Sequence, residues 1–259
     1  MNYIVFPELV DGCHMRCALC WNRNRQGSME NMKLEVVNGI VKKHGHTLFH
    51  WYNWGEPLWH KQFVEISEIV KPTNSCISSN FSLPISDEYL WALLNWKRVY
   101  VSISGTTQNV YEIYNRGGNL GLVLSNLERL VKIGHPHVVI RWESHKLNGH
   151  QVNLVSEYCK AKNIVFESIS LNCEVEDLLE GFDHELLRNP KFSNISSCNL
   201  LNQFPIGSDG SYLLCCASHN VKTGYNVFDD IAMEDLLQVR MNLPLCKTCR
   251  ERGFFKMYT

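Results

Sequence analysis

Residues 3–20 read Tyr-Ile-Val-Phe-Pro-Glu-Leu-Val-Asp-Gly-Cys-His-Met-Arg-Cys-Ala-Leu-Cys. The apolar run from Tyr3 to Leu9 has the length and residue types of a buried strand. Directly behind it, Cys13, Cys17 and Cys20 form a Cys-x3-Cys-x2-Cys array. With 11 cysteines in 259 residues, chance supplies such a triplet with a frequency of about 0.02, so spacing outweighs count. Three thiolates in one short loop can hold three irons of a 4Fe–4S cluster and leave the fourth iron open for chemistry. A zinc site is the alternative, with His14 as fourth ligand.

Outward from this stretch, short apolar runs alternate with amphipathic ones. Strands are expected at Tyr3 to Leu9, Thr47 to Tyr52, Ser75 to Ser79, Val99 to Ser104, Val138 to Trp142 and Ile164 to Leu171. Between them, five groups keep the three-or-four spacing of a buried helical face. These are Leu34/Val37/Val41, Phe63/Ile66/Val70, Leu90/Leu93/Leu94, Leu124/Leu127/Val131 and Val152/Val155/Cys159. Such alternation predicts an α/β fold of parallel strands joined by right-handed crossovers, either an open sheet or a partial barrel. The active site then belongs at the carboxyl ends of the strands.

After about Asn172 the rhythm changes to a loop-rich acidic stretch, and a boundary is expected near residue 185. From Cys198 the pattern is hairpin-like, with Asp209-Gly210 as the turn, and a last amphipathic helix carries Met233, Leu236, Leu237 and Arg240. This tail holds a second constellation: Cys198, Gly210-x4-Cys215 and Cys246-x2-Cys249.

At the triplet the chain resembles the radical SAM superfamily, in which an aromatic or aliphatic residue precedes the last cysteine, here Leu19. The family's Gly-Glu-Pro turn stands as Gly55-Glu56-Pro57, its Thr-Asn-Gly as Ser79-Asn80-Phe81, and its Ser-x-Asp-Gly as Ser102-Ile103-Ser104-Gly105. Phe81 and Ser104 depart from that pattern. The resemblance implies a partial (β/α)6 barrel over residues 1–185. Residues 186–259 resemble the SPASM and "twitch" auxiliary-cluster domains, with ligands for one further cluster; a zinc ribbon is the alternative there.

The implied cofactors are two 4Fe–4S clusters and S-adenosylmethionine. Cys13, Cys17 and Cys20 would hold the first cluster; Cys198, Cys215, Cys246 and Cys249 would hold the second. Gly55, Glu56 and Pro57 would receive the methionine ammonium, and Ser102 with Arg116 or Arg141 its carboxylate. Ser79, Asn80 and Ser104 would line the ribose side. One electron at about −400 mV would cleave the cofactor to a 5′-deoxyadenosyl radical that takes hydrogen from substrate.

A saturated second cluster would accept an electron, which favours dehydrogenation of a polar small molecule such as a sugar, aminocyclitol or nucleotide-linked sugar. Rival readings are sugar epimerisation, with Cys216 or Cys173 as hydrogen donor, and modification of a ribosomal peptide. Glu8, Glu143 and Tyr52 occupy strand-end positions suited to binding a hydroxyl or moving a proton. An external donor such as flavodoxin or ferredoxin would supply the electron.

Composition sets outer limits. A net charge of −1 recruits neither polyanion nor anionic membrane, and no basic tract interleaved with aromatics marks nucleic-acid binding. No apolar run approaches the ~18 residues of a membrane span, and the first residues lack a signal-peptide pattern, so a cytoplasmic protein is expected.

Overall fold

The computed structural model describes residues 2–20, 29–171, 198, 200–216 and 218–252. The acidic stretch, the expected boundary near 185 and Cys173 lie outside the described residues.

Strand β1 (Ile4–Pro7) leads into a small antiparallel pair, β2 (Val10–Asp11) and β3 (Glu30–Asn31). Strands β4 (Leu48–His50), β5 (Asn74–Ser79), β6 (Arg98–Ile103), β7 (Val138–Ser144) and β8 (Val165–Ser170) follow. Each pairs in parallel with the one before it, starting from β1. This is the expected parallel α/β architecture of a partial barrel. The crossovers are α1 (Leu34–His44), α2 (Phe63–Val70), α3 (Asp87–Leu93), α4 (Gln108–Tyr114), α5 (Leu120–Lys132) and α6 (Val152–Lys162).

Alternation along the strands sorts side chains onto two faces. One face sends Val5, Phe49, Ile77, Val99, Val101, Ile140 and Trp142 into the main core, where Val37, Ile66, Leu93 and Leu127 of the helices meet them. The other carries Cys76, Tyr100 and Val139, with Leu48 and Tyr52 against them. Helix α5 corrects one expectation. Its buried positions are Leu120, Val123, Asn126, Leu127 and Leu130, while Leu124 is exposed, so the buried stripe runs through Leu120, Val123 and Leu127 rather than starting at Leu124. Helix α4 has no amphipathic signature; only its Tyr111 is buried.

The tail adds β9 (Gln203–Ile206), β10 (Ser211–Cys215), β11 (Ser218–Asn226), α7 (Met233–Asn242) and α8 (Pro244–Arg252). Strand β9 lies parallel to β1 on its free edge, and β10 and β11 continue antiparallel, giving the order β11-β10-β9-β1-β4-β5-β6-β7-β8. The Asp209-Gly210 turn forms as expected. Gly210 takes φ +84°, a conformation that glycine adopts without penalty, and Asp209 accepts the Ser211 amide at 3.0 Å.

A buried relay bolts the hairpin to the barrel. Tyr3 Oη lies 3.1 Å from His44 Nδ1, and His44 Nε2 lies 2.7 Å from Tyr212 Oη. Burial, with Lys43 and His46 nearby, lowers the His44 pKa to about 4, so the imidazole is neutral and each hydroxyl pairs with one ring nitrogen. Among the described residues, no helix is long and apolar enough to cross a membrane.

Candidate functional site

The Cys13–Cys20 loop lies at the carboxyl ends of the strands and is stitched to its neighbours through backbone. Arg16 N donates to Arg116 O at 2.9 Å, Ala18 N to Tyr114 O at 2.8 Å, and Glu56 N to Gly12 O at 2.8 Å. The sulfurs meet amide donors: Met15 N at 3.4 Å and Asn80 Nδ2 at 3.6 Å from Cys13 Sγ, and Asn115 Nδ2 at 3.8 Å from Cys17 Sγ. Burial raises the pKa of the Cys13 and Cys17 thiols, and the neighbouring thiols raise it further. This donor set fits a metal cluster. Three thiols stand within electrostatic reach of one another, and two of them face N–H groups that favour a negative sulfur.

Among the described residues, no three His, Cys, Asp or Glu side chains stand close enough to share one metal ion. His14, the proposed fourth zinc ligand, has Nε2 2.9 Å from Ser82 O and its ring against Trp59 at 4.9 Å between centroids.

The Gly55-Glu56-Pro57 turn is a built cradle. A Cβ on Gly55 would lie 1.8 Å from Val10 O and 2.9 Å from Gly12 O, so only glycine lets the turn approach the cysteine loop. Glu8 holds it there: its two carboxyl oxygens accept the Trp54 and Gly55 amides, each at 2.9 Å. Both oxygens are thereby engaged, which corrects the expectation of a free acid–base group at Glu8. Glu56 is equally occupied. It accepts from Leu58 N at 3.0 Å and Asn80 N at 2.9 Å, joining the turn to the end of β5. Burial raises its pKa to about 7, against lowering bonds from Ser79, Asn80 and Leu58. Pro57 opens the short 3-10 turn Pro57–Trp59 that Glu56 caps.

The two departures from the family pattern have local explanations. Phe81 replaces glycine yet keeps φ +53°, a left-handed conformation that costs an L-residue roughly 1–2 kcal/mol. Full burial of the ring offsets that cost, with Phe81 N donating to Ser79 Oγ at 3.0 Å and Asn126 Nδ2 donating to Phe81 O at 3.0 Å. Ser104 is wholly buried and donates to Asn115 Oδ1 and Tyr111 O. It therefore orients the amide that faces Cys17, and with Ser79 it belongs to the scaffold rather than to an open ribose contact. Asn115 has no sequence signal; a single Asn after a short helix looks like a cap.

The two arginine candidates separate. Arg116 adjoins the cysteine loop through its carbonyl. Arg141 lies on the inner face of β7, its guanidinium 4.0 Å from the Tyr100 ring centroid, 3.3 Å from Tyr52 Oη and 3.7 Å from Glu167. Tyr52 also lies 2.8 Å from His50 Nδ1, and burial pushes its phenol up to about 12.

Ser102 is half-buried beside these groups, and Leu19 is half-buried in the cysteine loop. Glu143, two residues beyond Arg141, is buried, and its Oε2 has no hydrogen-bond partner among the described residues. Burial raises its pKa to about 7, opposed by Arg141, its own backbone amide and Ser102.

In the tail, Cys198, Cys215, Cys246 and Cys249 lie within electrostatic reach of one another. This thiol-only donor set suits iron–sulfur or zinc. Cys216 Sγ donates to Gln203 Oε1 at 3.4 Å, and burial raises its thiol to about 12, so it is a neutral S–H beside that site.

The Radical SAM superfamily model matches residues 8–142, the segment that carries the cysteine loop, the Gly-Glu-Pro turn and strands β4 to β6. The chain belongs to the radical SAM superfamily. S-adenosylmethionine and a 4Fe–4S cluster are accordingly its cofactors. Solved structures that share its fold include the following three. The anSMEcpe enzyme with bound AdoMet and Cp18Cys peptide is 20% identical, with a TM-score of 0.66 over 100% of this chain and 84% of that one. Streptococcus suis SuiB bound to precursor peptide SuiA is 14% identical, with a TM-score of 0.70 over 99% and 71%. BtrN in complex with AdoMet and 2-DOIA is 13% identical, with a TM-score of 0.55 over 100% and 88%. No curated protein matches the chain.

Proposed function

We propose that this radical SAM enzyme dehydrogenates a polar small molecule held on the inner face of the barrel, below the Cys13/Cys17/Cys20 loop. When bound, the first cluster and S-adenosylmethionine supply a hydrogen-abstracting radical, and a cluster on Cys198, Cys215, Cys246 and Cys249 in an auxiliary domain of residues 186–259 supplies an electron acceptor. Gly55 and its turn seat the methionine end of the cofactor, with Arg116 beside the loop for its carboxylate. Arg141 and Tyr52 orient the substrate. Glu143 takes the hydroxyl proton at Oε2.

The observation that carries this reading is the Oε2 of buried Glu143, which has no partner among the described residues and lies within electrostatic reach of Cys17. A buried carboxyl oxygen without a partner costs stability, which a substrate hydroxyl would relieve. The test is anaerobic turnover with C-deuterated sugars and aminocyclitols. Deuterium should enter 5′-deoxyadenosine, and Glu143→Gln should keep 5′-deoxyadenosine formation while losing the oxidised product.

A peptide substrate is the second reading. Two of the similar structures were solved with peptides, and among the described residues β8 is a sheet edge with Val165 and Ile169 exposed, which an extended peptide can extend. Deuterium transfer from a peptide and from none of the small molecules would establish that reading instead.

A further inference from the structure

Arg240 lies on the buried face of α7, with 1% of its surface exposed. Its Nε donates to Leu214 O at 2.5 Å, and its two terminal nitrogens donate to Leu201 O at 3.3 Å and Leu200 O at 3.2 Å. The guanidinium carbon stands 4.6 Å from the Phe204 ring centroid. Each carbonyl belongs to a cysteine-bearing segment: Leu214 precedes Cys215, and Leu200 and Leu201 follow Cys198. One side chain thus clamps together two of the three cysteine-bearing segments of the tail site.

Carbonyls satisfy its donors but not its charge. A guanidinium stays protonated in proteins, and a buried unpaired charge is strongly destabilising. Among the described residues no carboxylate pairs with it. The thiols of Cys215, Cys246, Cys216 and Cys198 lie within its electrostatic reach. The four proposed ligands would carry negative charge as thiolates once a cluster is bound.

We propose that Arg240 is the fixed counter-charge of the Cys198/Cys215/Cys246/Cys249 site and raises the reduction potential of the cluster bound there. The inference rests on the auxiliary-cluster reading above. Adding one electron to a thiolate-ligated cluster adds one negative charge, and a desolvated cation beside the ligands stabilises the reduced form. Arg240 is a tuning residue; it gains and loses nothing in the reaction.

The test uses chain reconstituted with iron and sulfide and carrying Cys13→Ala, Cys17→Ala and Cys20→Ala, so that one cluster remains. Its potential is read by a dye-mediated titration followed by electron paramagnetic resonance. Arg240→Met should lower the reduced-to-oxidised ratio at fixed ambient potential about tenfold, which is about 59 mV for one electron, and Arg240→Lys should restore most of it. An unchanged potential in Arg240→Met overturns the proposal and leaves the cluster reading standing. If Arg240→Met fails to hold the cluster, retention in Arg240→Lys supports the counter-charge, and loss in both overturns it. Absence of any cluster before Arg240 is touched refutes the auxiliary-cluster reading, and the proposal falls with it.

Discussion

Replacing Glu8 with glutamine separates a scaffold role from a catalytic one. In the native site two carboxyl oxygens accept two backbone amides, each at 2.9 Å, from a side chain that is 4% exposed. The glutamine side chain would keep one acceptor and turn an NH2 toward the other amide, leaving a buried donor facing a donor. A hydrogen bond to a charged group contributes about 1.5–3 kcal/mol, and a buried unsatisfied donor costs about 1–3 kcal/mol, so Glu8→Gln should lose about 3 kcal/mol of stability. The loss falls on the Trp54-Gly55 segment, so S-adenosylmethionine affinity should drop at least about tenfold, equivalent to 1.4 kcal/mol, with iron at the Cys13 loop retained. Anaerobic calorimetry of cofactor binding and urea unfolding measure both. Unchanged stability and affinity with turnover abolished would refute the reasoning and return Glu8 to acid–base duty.

Gly55→Ala should act on the same turn through sterics. Its Cβ would overlap Val10 O, a backbone atom, so the turn must shift at a cost of roughly 1–3 kcal/mol. Cofactor affinity in the calorimeter should fall with it, while Gly149→Ala, where a Cβ meets open space, should leave both unchanged. Acid should loosen the hairpin. The folded His44 pKa, lowered to about 4, lies below an unfolded value of about 6.5, so between these values the unfolded chain binds more protons and stability falls as pH drops. The loss is about 2 kcal/mol from pH 7 to pH 5. Urea midpoints should show it, and His44→Gln should flatten the slope.

The six parallel strands and their main helices were legible because each buries one periodic face, and the cysteine loop was legible because thiolates at that spacing have few other uses. Periodicity even set Arg240 on the apolar side of its helix with Met233 and Leu236, although nothing in the pattern tells a buried cation from a solvated one. Helices α4 and α8 escaped because neither carries an apolar stripe, and α8 opens on a proline that reads as a terminator. The docking of β9 on β1 joins residues about two hundred positions apart, a pairing that local pattern cannot encode. The scaffold roles of Glu8, Ser104 and Asn115 arise from hydrogen bonds to backbone and sulfur, and such bonds leave no spacing to read.

The most direct test of the central claim is Mössbauer spectroscopy of the 57Fe-loaded chain with and without S-adenosylmethionine. The account predicts about eight irons per chain in two four-iron clusters. One iron of the Cys13/Cys17/Cys20 cluster should change its signal when the cofactor is added, and that cluster alone should vanish in Cys13→Ala. Iron signals indifferent to the cofactor, or zinc in place of iron at the Cys13 loop, would contradict it.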